Sequence, residues 1–167
     1  MNSREFKDNS ISRLLFHAAD QWPDKPAITF SGATQSWLET RNRCHAAATL
    51  FHRLGVGAGD RVAYLGLNSN VCFESYYSPA LIGAIFVPIN HRLSIREMVE
   101  CIEDCAPKIL IVDENFIEQA EHLLKVCVSL KGVLYAAQSE LMESWSSYEQ
   151  GVQEVSSSGE YCDLLPS

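Results

Sequence analysis

No Cys-x-x-Cys pair occurs among the six cysteines, Cys44, Cys72, Cys101, Cys105, Cys127 and Cys162, so the thiolate spacing of zinc ribbons and dithiol redox sites is missing. Cys101 and Cys105 stand one helical turn apart. With no neighbouring histidine to complete four ligands, they read as small apolar residues on a helix packed against a sheet. Basic residues are scarce. Thirteen Lys and Arg against 21 Asp and Glu leave a net charge of −8, which disfavours nucleic acid as a partner because its phosphates repel an acidic surface. The longest apolar run, Leu81–Ile89, falls far short of the ~20 residues that span a bilayer. The opening MNSREFKDNS has no apolar signal-peptide core behind it. A soluble, cytoplasmic protein is the expectation. His17, His45, His52, His91 and His122 show no metal-ligand spacing, and no Gly-x-Ser-x-Gly elbow marks a nucleophilic serine.

What is present is ordinary globular composition, 47% apolar and 20% charged over 167 residues. That is enough chain for one domain burying roughly 70% of its unfolded surface. Asn9 or Ser10 can cap a helix whose apolar stripe is Ile11, Leu14, Leu15, Ala18 and Trp22, ended by Pro23. Ala27–Phe30 reads as a strand turning at Ser31-Gly32. A second helix spans about Ser36 to Leu54 and stops at Gly55 in a left-handed cap. Strands and helices then alternate: strand Arg61–Leu65, helix Asn70 to about Ile82, strand Ala84–Ile89. A Ser94-x-x-Glu97 capping box opens a helix ending near Pro107. Strand Lys108–Val112, a helix holding Phe116, Ile117, Ala120, Leu123 and Leu124, and strand Gly132–Ala136 follow. This alternation predicts an α/β fold, a mainly parallel sheet with helices on both faces. The near-continuous apolar strands fit burial on both sides. Beyond Ser139 the periodic signal decays, and residues 153–167, with three consecutive serines, read as an exposed linker.

Three segments could carry chemistry. The glycines of Gly55-Val56-Gly57-Ala58-Gly59-Asp60 follow a helix and precede a strand, the reverse of a phosphate-cradling loop, so they read as a helix stop and tight turn. Leu65-Gly66-Leu67-Asn68-Ser69-Asn70 has the order strand, turn, helix at a carboxyl edge where parallel sheets bind ligands. It holds one glycine and no lysine, and reads as a βα loop in which Asn68 or Ser69 caps the next helix. The third is Pro88-Ile89-Asn90-His91-Arg92-Leu93. There Asn90-His91-Arg92 leaves the end of a strand, and a guanidinium can grip a phosphate bidentately. The other reading of Arg92 is a surface ion pair with Glu97.

Gly55-Val56, Gly59-Asp60-Arg61-Val62-Ala63 and Asn68 resemble the Gly-Val-x-x-Gly-Asp-x-Val-Ala element, with its following Asn, of the adenylate-forming (AMP-binding) enzymes. Gly83-Ala84, Pro88, Asn90 and Arg92-Leu93, with Glu97 behind them, are similar to that family's Gly-Ala-x-x-x-Pro-x-Asn-x-Arg-Leu. Ser36-Trp37 with Glu39 resembles its early Thr-Tyr-x-Glu-Leu, with Trp for Tyr. Pro107-Lys108-Ile109-Leu110-Ile111 resembles the strand that follows. The resemblance covers most of the chain and implies that residues 1–167 form a partial amino-terminal domain of an AMP-dependent synthetase/ligase.

Family members activate a carboxylic acid with ATP to an acyl-adenylate and pass the acyl group to CoA. The Ser/Thr/Gly-rich phosphate loop ending in Pro-Lys-Gly and the late catalytic lysine have no counterpart here. Glu160–Leu165 resembles only the acidic-then-apolar approach to that loop. The resemblance thus implies an acyl-CoA ligase fragment, its acid a fatty one by the style of the Gly83–Glu97 run. On that reading the segment is inactive and cofactor-free by itself, while the parent uses ATP, Mg2+ and CoA. Partners are then the remainder of the synthetase, a small carboxylic acid and CoA, with self-association through an uncovered apolar face. Arg92 becomes a candidate CoA phosphate contact, with His91 beside it; no catalytic residue and no metal ligand is expected. Two other functions stay open: a non-catalytic interaction or regulatory module keeping half the fold, and a small-ligand-binding Rossmann-like domain.

Overall fold

The computed structural model describes residues 11–136 and 145–164; the Asn9 and Ser10 cap lies outside them. Helix α1, Ile11–Gln21, buries Leu15, Ala18 and Ala19. Ile11, Leu14 and Trp22 of the expected stripe are instead exposed, because α1 packs mainly on α2 and a 3-10 turn through one narrow face. Strands β1, Pro26–Phe30, and β2, Ala33–Ser36, form an antiparallel hairpin. Ser31 (φ 50°) and Gly32 (φ 81°) supply the two left-handed residues that a two-residue hairpin turn requires.

Helix α2, Trp37–Arg53, opens on a complete capping box. The Ser36 N–H donates to Glu39 Oε2 at 2.7 Å, and the Glu39 N–H to Ser36 Oγ at 3.2 Å. There follow β3 (Arg61–Leu65), α3 (Asn70–Ser75), β4 (Ile85–Pro88), α4 (Ile95–Cys105), β5 (Ile109–Val112), α5 (Ile117–Val126), β6 (Gly132–Tyr135), β7 (Ser146–Ser147) and α6 (Tyr148–Ser158). Five strands make one sheet in the order β4-β3-β5-β6-β7, and every pairing in it is parallel.

Alternation along the strands divides the interior into two cores. Val62, Tyr64, Ile109, Ile111 and Leu134 face one side, with α2 and α6 over them. Ala63, Leu65, Leu110, Val112, Val133 and Tyr135 face the other, beneath α4 and α5. Helices on both faces explain why β5 can be apolar at all four positions, each buried.

Three expectations need correction. The helix foreseen from Asn70 to Ile82 ends at Ser75, and a separate 3-10 turn spans Pro79–Ile82; Pro79 cannot donate to a continued ladder and so begins a new turn. Strand β2 went unforeseen, since Ala-Thr-Gln-Ser is short and polar. Residues 153–158, expected in an exposed linker, belong to α6, whose Val152 and Val155 are buried against α2. The serines misled because they occupy the solvent side and the last turn of a helix whose buried stripe is only Tyr148, Val152 and Val155.

Candidate functional site

The chain leaves β3 into α3, whose Val71 joins the first core, and leaves β5 into α5, whose Ala120 and Leu123 join the second. Two adjacent parallel strands therefore discharge toward opposite faces. The crevice between their carboxyl ends is where open α/β sheets bind ligands. A cleft of about 820 Å³ lies there, its walls including Gln35 of the hairpin, Leu67, Asn68, Asp113, Asn115 and Glu149.

The floor is built by hydrogen bonds from both strand ends. Tyr64 Oη donates to Leu67 O at 2.7 Å and lies 3.1 Å from Ser69 Oγ. Burial pushes the Tyr64 phenol pKa up, so it stays a donor. Asp113 Oδ2 accepts the Leu67 N–H at 2.5 Å, and Asp113 Oδ1 the Asn115 N–H at 2.8 Å. One carboxylate thus ties the two loops together. Glycine at position 66 leaves room for this floor: a Cβ there would sit 2.7 Å from Tyr64 Oη and 2.8 Å from Asp113 Oδ2, and one of those hydrogen-bonded side chains would have to shift. Ser69 caps α3 by accepting the Cys72 N–H at 3.1 Å, so of the two expected caps Ser69 is the one used.

Beside the cleft runs a buried ionic network. Arg43 donates from Nε to Glu74 Oε1 at 2.5 Å, and from Nη2 to Glu74 Oε2 at 3.2 Å and Glu149 Oε1 at 2.8 Å. Tyr148 Oη donates to Glu74 Oε2 at 2.9 Å. Burial of the Arg43 guanidinium is outweighed by its bonds and charge contacts to Glu74 and then Glu149, which raise its pKa. Burial pushes the Glu74 carboxyl up while Arg43 opposes. Its two oxygens receive three donated hydrogen bonds, two of them from the Arg43 guanidinium, which favour the carboxylate against the effect of burial. In the cleft wall Gln35 Oε1 is buried without a hydrogen-bond partner, an acceptor open to an entering N–H or O–H. The arrangement can bind; among the described residues around the cleft no nucleophile stands beside a base. Among the described residues no three His, Cys, Asp or Glu side chains converge as a metal site requires.

Arg92 and His91 fall elsewhere. They follow β4, the outer strand, at the same carboxyl edge, with β3 between them and the cleft. Arg92 is exposed, and its backbone N–H donates to Asn90 Oδ1 at 3.0 Å. Glu97, considered as its ion-pair partner, is committed to Ser94, accepting from its N–H at 2.8 Å and its Oγ at 2.7 Å. The His91 ring lies 5.6 Å from that of Phe116. The Gly55–Asp60 turn stands at the opposite, amino edge, where Asp60 accepts from Gly57 N–H and Lys108 Nζ at 2.8 and 2.7 Å. Sequence reasoning missed Asp113, Gln35, Arg43 and Glu149. Asp113 alone had a signal, as the first polar residue after a buried strand.

The AMP-binding enzyme family model matches residues 15–161. The indoleacetate–CoA ligase of Aromatoleum aromaticum is 30% identical over 139 residues, 83% of this chain and 27% of that ligase. The 2-succinylbenzoate–CoA ligase of Oceanobacillus iheyensis is 33% identical over 103 residues, 61% of this chain and 22% of that one. Among solved structures, the anthranilate CoA ligase AuaEII superimposes with a TM-score of 0.81 at 22% identity, covering 86% of this chain and 27% of that chain. The N-terminal domain of FACL13 from Mycobacterium tuberculosis does so at 0.76 and 22%, covering 87% and 36%. The chain thus spans about a quarter of the length of the curated relatives it matches.

Proposed function

Because the chain belongs to the AMP-binding enzyme family, we propose that it is the opening segment of an acid–CoA ligase. The parent joins a carboxylic acid, in the first instance a fatty acid, to CoA through an acyl-adenylate. The observation that carries this reading is the match over residues 15–161, made by a segment whose parallel sheet presents loops at its carboxyl edge. Relatives include proteins named as ligases of indoleacetate and 2-succinylbenzoate, so an aromatic acid is the first competitor to a fatty one.

The segment contributes binding surface rather than reacting groups. ATP supplies the adenylyl group and Mg2+ charge neutralisation in the parent, and CoA accepts the acyl group. The phosphate-gripping donors and metal ligands such chemistry needs come from the remainder of the ligase. On this reading the isolated segment is inactive, associates through apolar surface the remainder would cover, and works in the cytoplasm. No helix among the described residues is long and apolar enough to cross a membrane.

Carboxylate-dependent exchange of pyrophosphate into ATP tests the proposal. The purified segment is expected to give none, and a ligase of the relatives' length carrying it to give exchange with fatty acids. Exchange by the segment that survives repurification would refute the division of labour. Tight ATP binding by the segment alone would favour instead a small-ligand-binding domain, which the cleft of about 820 Å³ could serve.

A further inference from the structure

Cys101 and Cys105 lie at the edge of the sheet opposite the cleft. Helix α4 buries Met98 and Ile102, but Cys101 is exposed and Cys105 only half-buried. Packing on the sheet, the role their spacing suggests, therefore leaves the exposed thiol unexplained. The pair closes α4, from which the chain passes through Ala106 to the amino end of β5. Arg61, the first residue of β3, holds that last turn. It donates from Nε to Cys105 O, from Nη2 to Ala106 O at 2.8 Å and from Nη1 to Gly59 O at 3.0 Å.

Four residues apart on one helix, the two side chains share a face with their Cβ atoms about 5–6 Å apart. The Cys105 S–H donates to Ile102 O at 4.0 Å, so its sulfur leans back over the preceding turn, toward Cys101. The two thiols act on each other. Burial pushes the Cys105 thiol pKa up, the Cys101 thiol adds to that rise, and Arg61 opposes it. A disulfide needs Cβ atoms about 3.5–4.5 Å apart, closer than an intact helix brings them. An ion held linearly between two sulfurs needs them about 4.6 Å apart, twice a metal–thiolate bond of ~2.3 Å, and one helical turn meets that spacing. Among the described residues no three His, Cys, Asp or Glu side chains converge, so the pair is no part of a tetrahedral zinc site. Two thiolates with no third ligand suit a soft, low-coordinate ion, monovalent copper above all.

We propose that Cys101 and Cys105 form a two-coordinate site for Cu(I). Binding exchanges protons for metal: each S–H gives its proton to solvent, two Cu–S bonds form, and copper keeps its oxidation state. Two thiolates and one Cu(I) leave a single negative charge, and Arg61 supplies a positive one beside it. The bound cation also relieves the repulsion between adjacent thiolates. The site uses no residue of the cleft, so it stands whether or not the chain is part of an acid–CoA ligase.

Competition for Cu(I) tests it on this chain, reduced and anaerobic, with bicinchoninate as the coloured competitor. Wild type should withdraw one Cu(I) per chain. Cys101→Ser and Cys105→Ser should each weaken retention at least about a hundredfold, since loss of an outer-shell partner alone costs about 10–100-fold. Cys72→Ser and Cys162→Ser, which remove the other two half-buried thiols, should change nothing. Cys101→Ser combined with Glu100→Cys keeps the number of thiols but moves one about 100° round the helix, and should not restore retention. Cys101 is exposed, so its replacement leaves the fold intact. Wild type that yields all its copper to bicinchoninate overturns the site. So does retention unchanged by Cys101→Ser, or restored by the Glu100→Cys combination. One Cu(I) shared by two chains, with a dimer on gel filtration, would also overturn it, because copper would then join two helices rather than the two thiols of one.

Discussion

Replacing Arg43 by methionine strips the Glu74 carboxylate, whose side chain is 0% exposed, of two of its three donors and leaves it only Tyr148 Oη. Breaking a buried ion pair from one side costs ~3–5 kcal/mol, since the remaining charge keeps its desolvation penalty without its partner. For a chain of this size that lowers the melting temperature by roughly 6–20 °C. Glu74→Leu should cost less. Arg43, 24% exposed at its side chain, keeps Glu149 at 2.8 Å and part of its hydration. Combining Arg43→Met, Glu74→Leu and Tyr148→Phe removes the charges and the orphaned hydroxyl together. That triple variant should be more stable than Arg43→Met alone, because apolar replacement of a whole buried pair is close to neutral.

The pH dependence of this variant has a definite sign. Burial raises the Glu74 pKa, and without Arg43 nothing comparable opposes it. A carboxyl whose folded pKa lies above its unfolded value stabilises fully below the unfolded pKa and loses that contribution as pH rises through the folded one. The Arg43→Met penalty should therefore be large at pH 7 and shrink toward pH 4. Thermal melts followed by circular dichroism at the two pH values measure it. A melting temperature within 2 °C of wild type at pH 7, or a triple variant less stable than Arg43→Met, would refute the reasoning.

Gly66→Ala forces a methyl group against Tyr64 Oη and Asp113 Oδ2 and should cost ~1–3 kcal/mol in urea unfolding; a neutral result would mean the two loops yield freely. Ser36 hydrogen bonds lower the Glu39 pKa and Ser94 hydrogen bonds that of Glu97. Their stabilisation is present above the ordinary carboxylate range and lost as pH falls through the lowered values. Glu97→Gln should thus lower the urea midpoint at pH 7 and not at pH 2, and an equal shift at both would contradict it. Arg92→Ala in a full-length ligase should weaken CoA use by ~1–3 kcal/mol, the range for a charge-assisted hydrogen bond, with pyrophosphate exchange unchanged. Lost exchange with an unaltered CoA requirement would make Arg92 structural.

Local chemistry wrote much of this fold. The Ser94–Glu97 box, the Gly55 stop, the Ser31-Gly32 turn and the apolar β5 were legible because a cap, a left-handed residue or a doubly buried strand constrains residue type within a few positions. The alternation of strand and helix then leaves little choice but a parallel sheet covered on both faces. β7 and α6 were not legible. Two serines make a strand only because β6 offers an open edge, and α6 shows one sparse buried stripe amid polar residues.

The candidate site divides the same way. Sequence alone determined that a βα loop containing Gly66 would sit at a carboxyl edge, and that Arg92 would follow the strand foreseen over Ala84–Ile89. Only the tertiary structure decided that β3 and β5 lie side by side while their helices depart to opposite faces, which opens the cleft between Leu67 and Asp113. It also brought Arg43 to Glu74 and Tyr148, and returned residues 159–164 along α2. Those contacts join positions 31 to 117 residues apart. At such separations no local propensity acts on both partners, and only burial of the shared cores fixes which side chains meet.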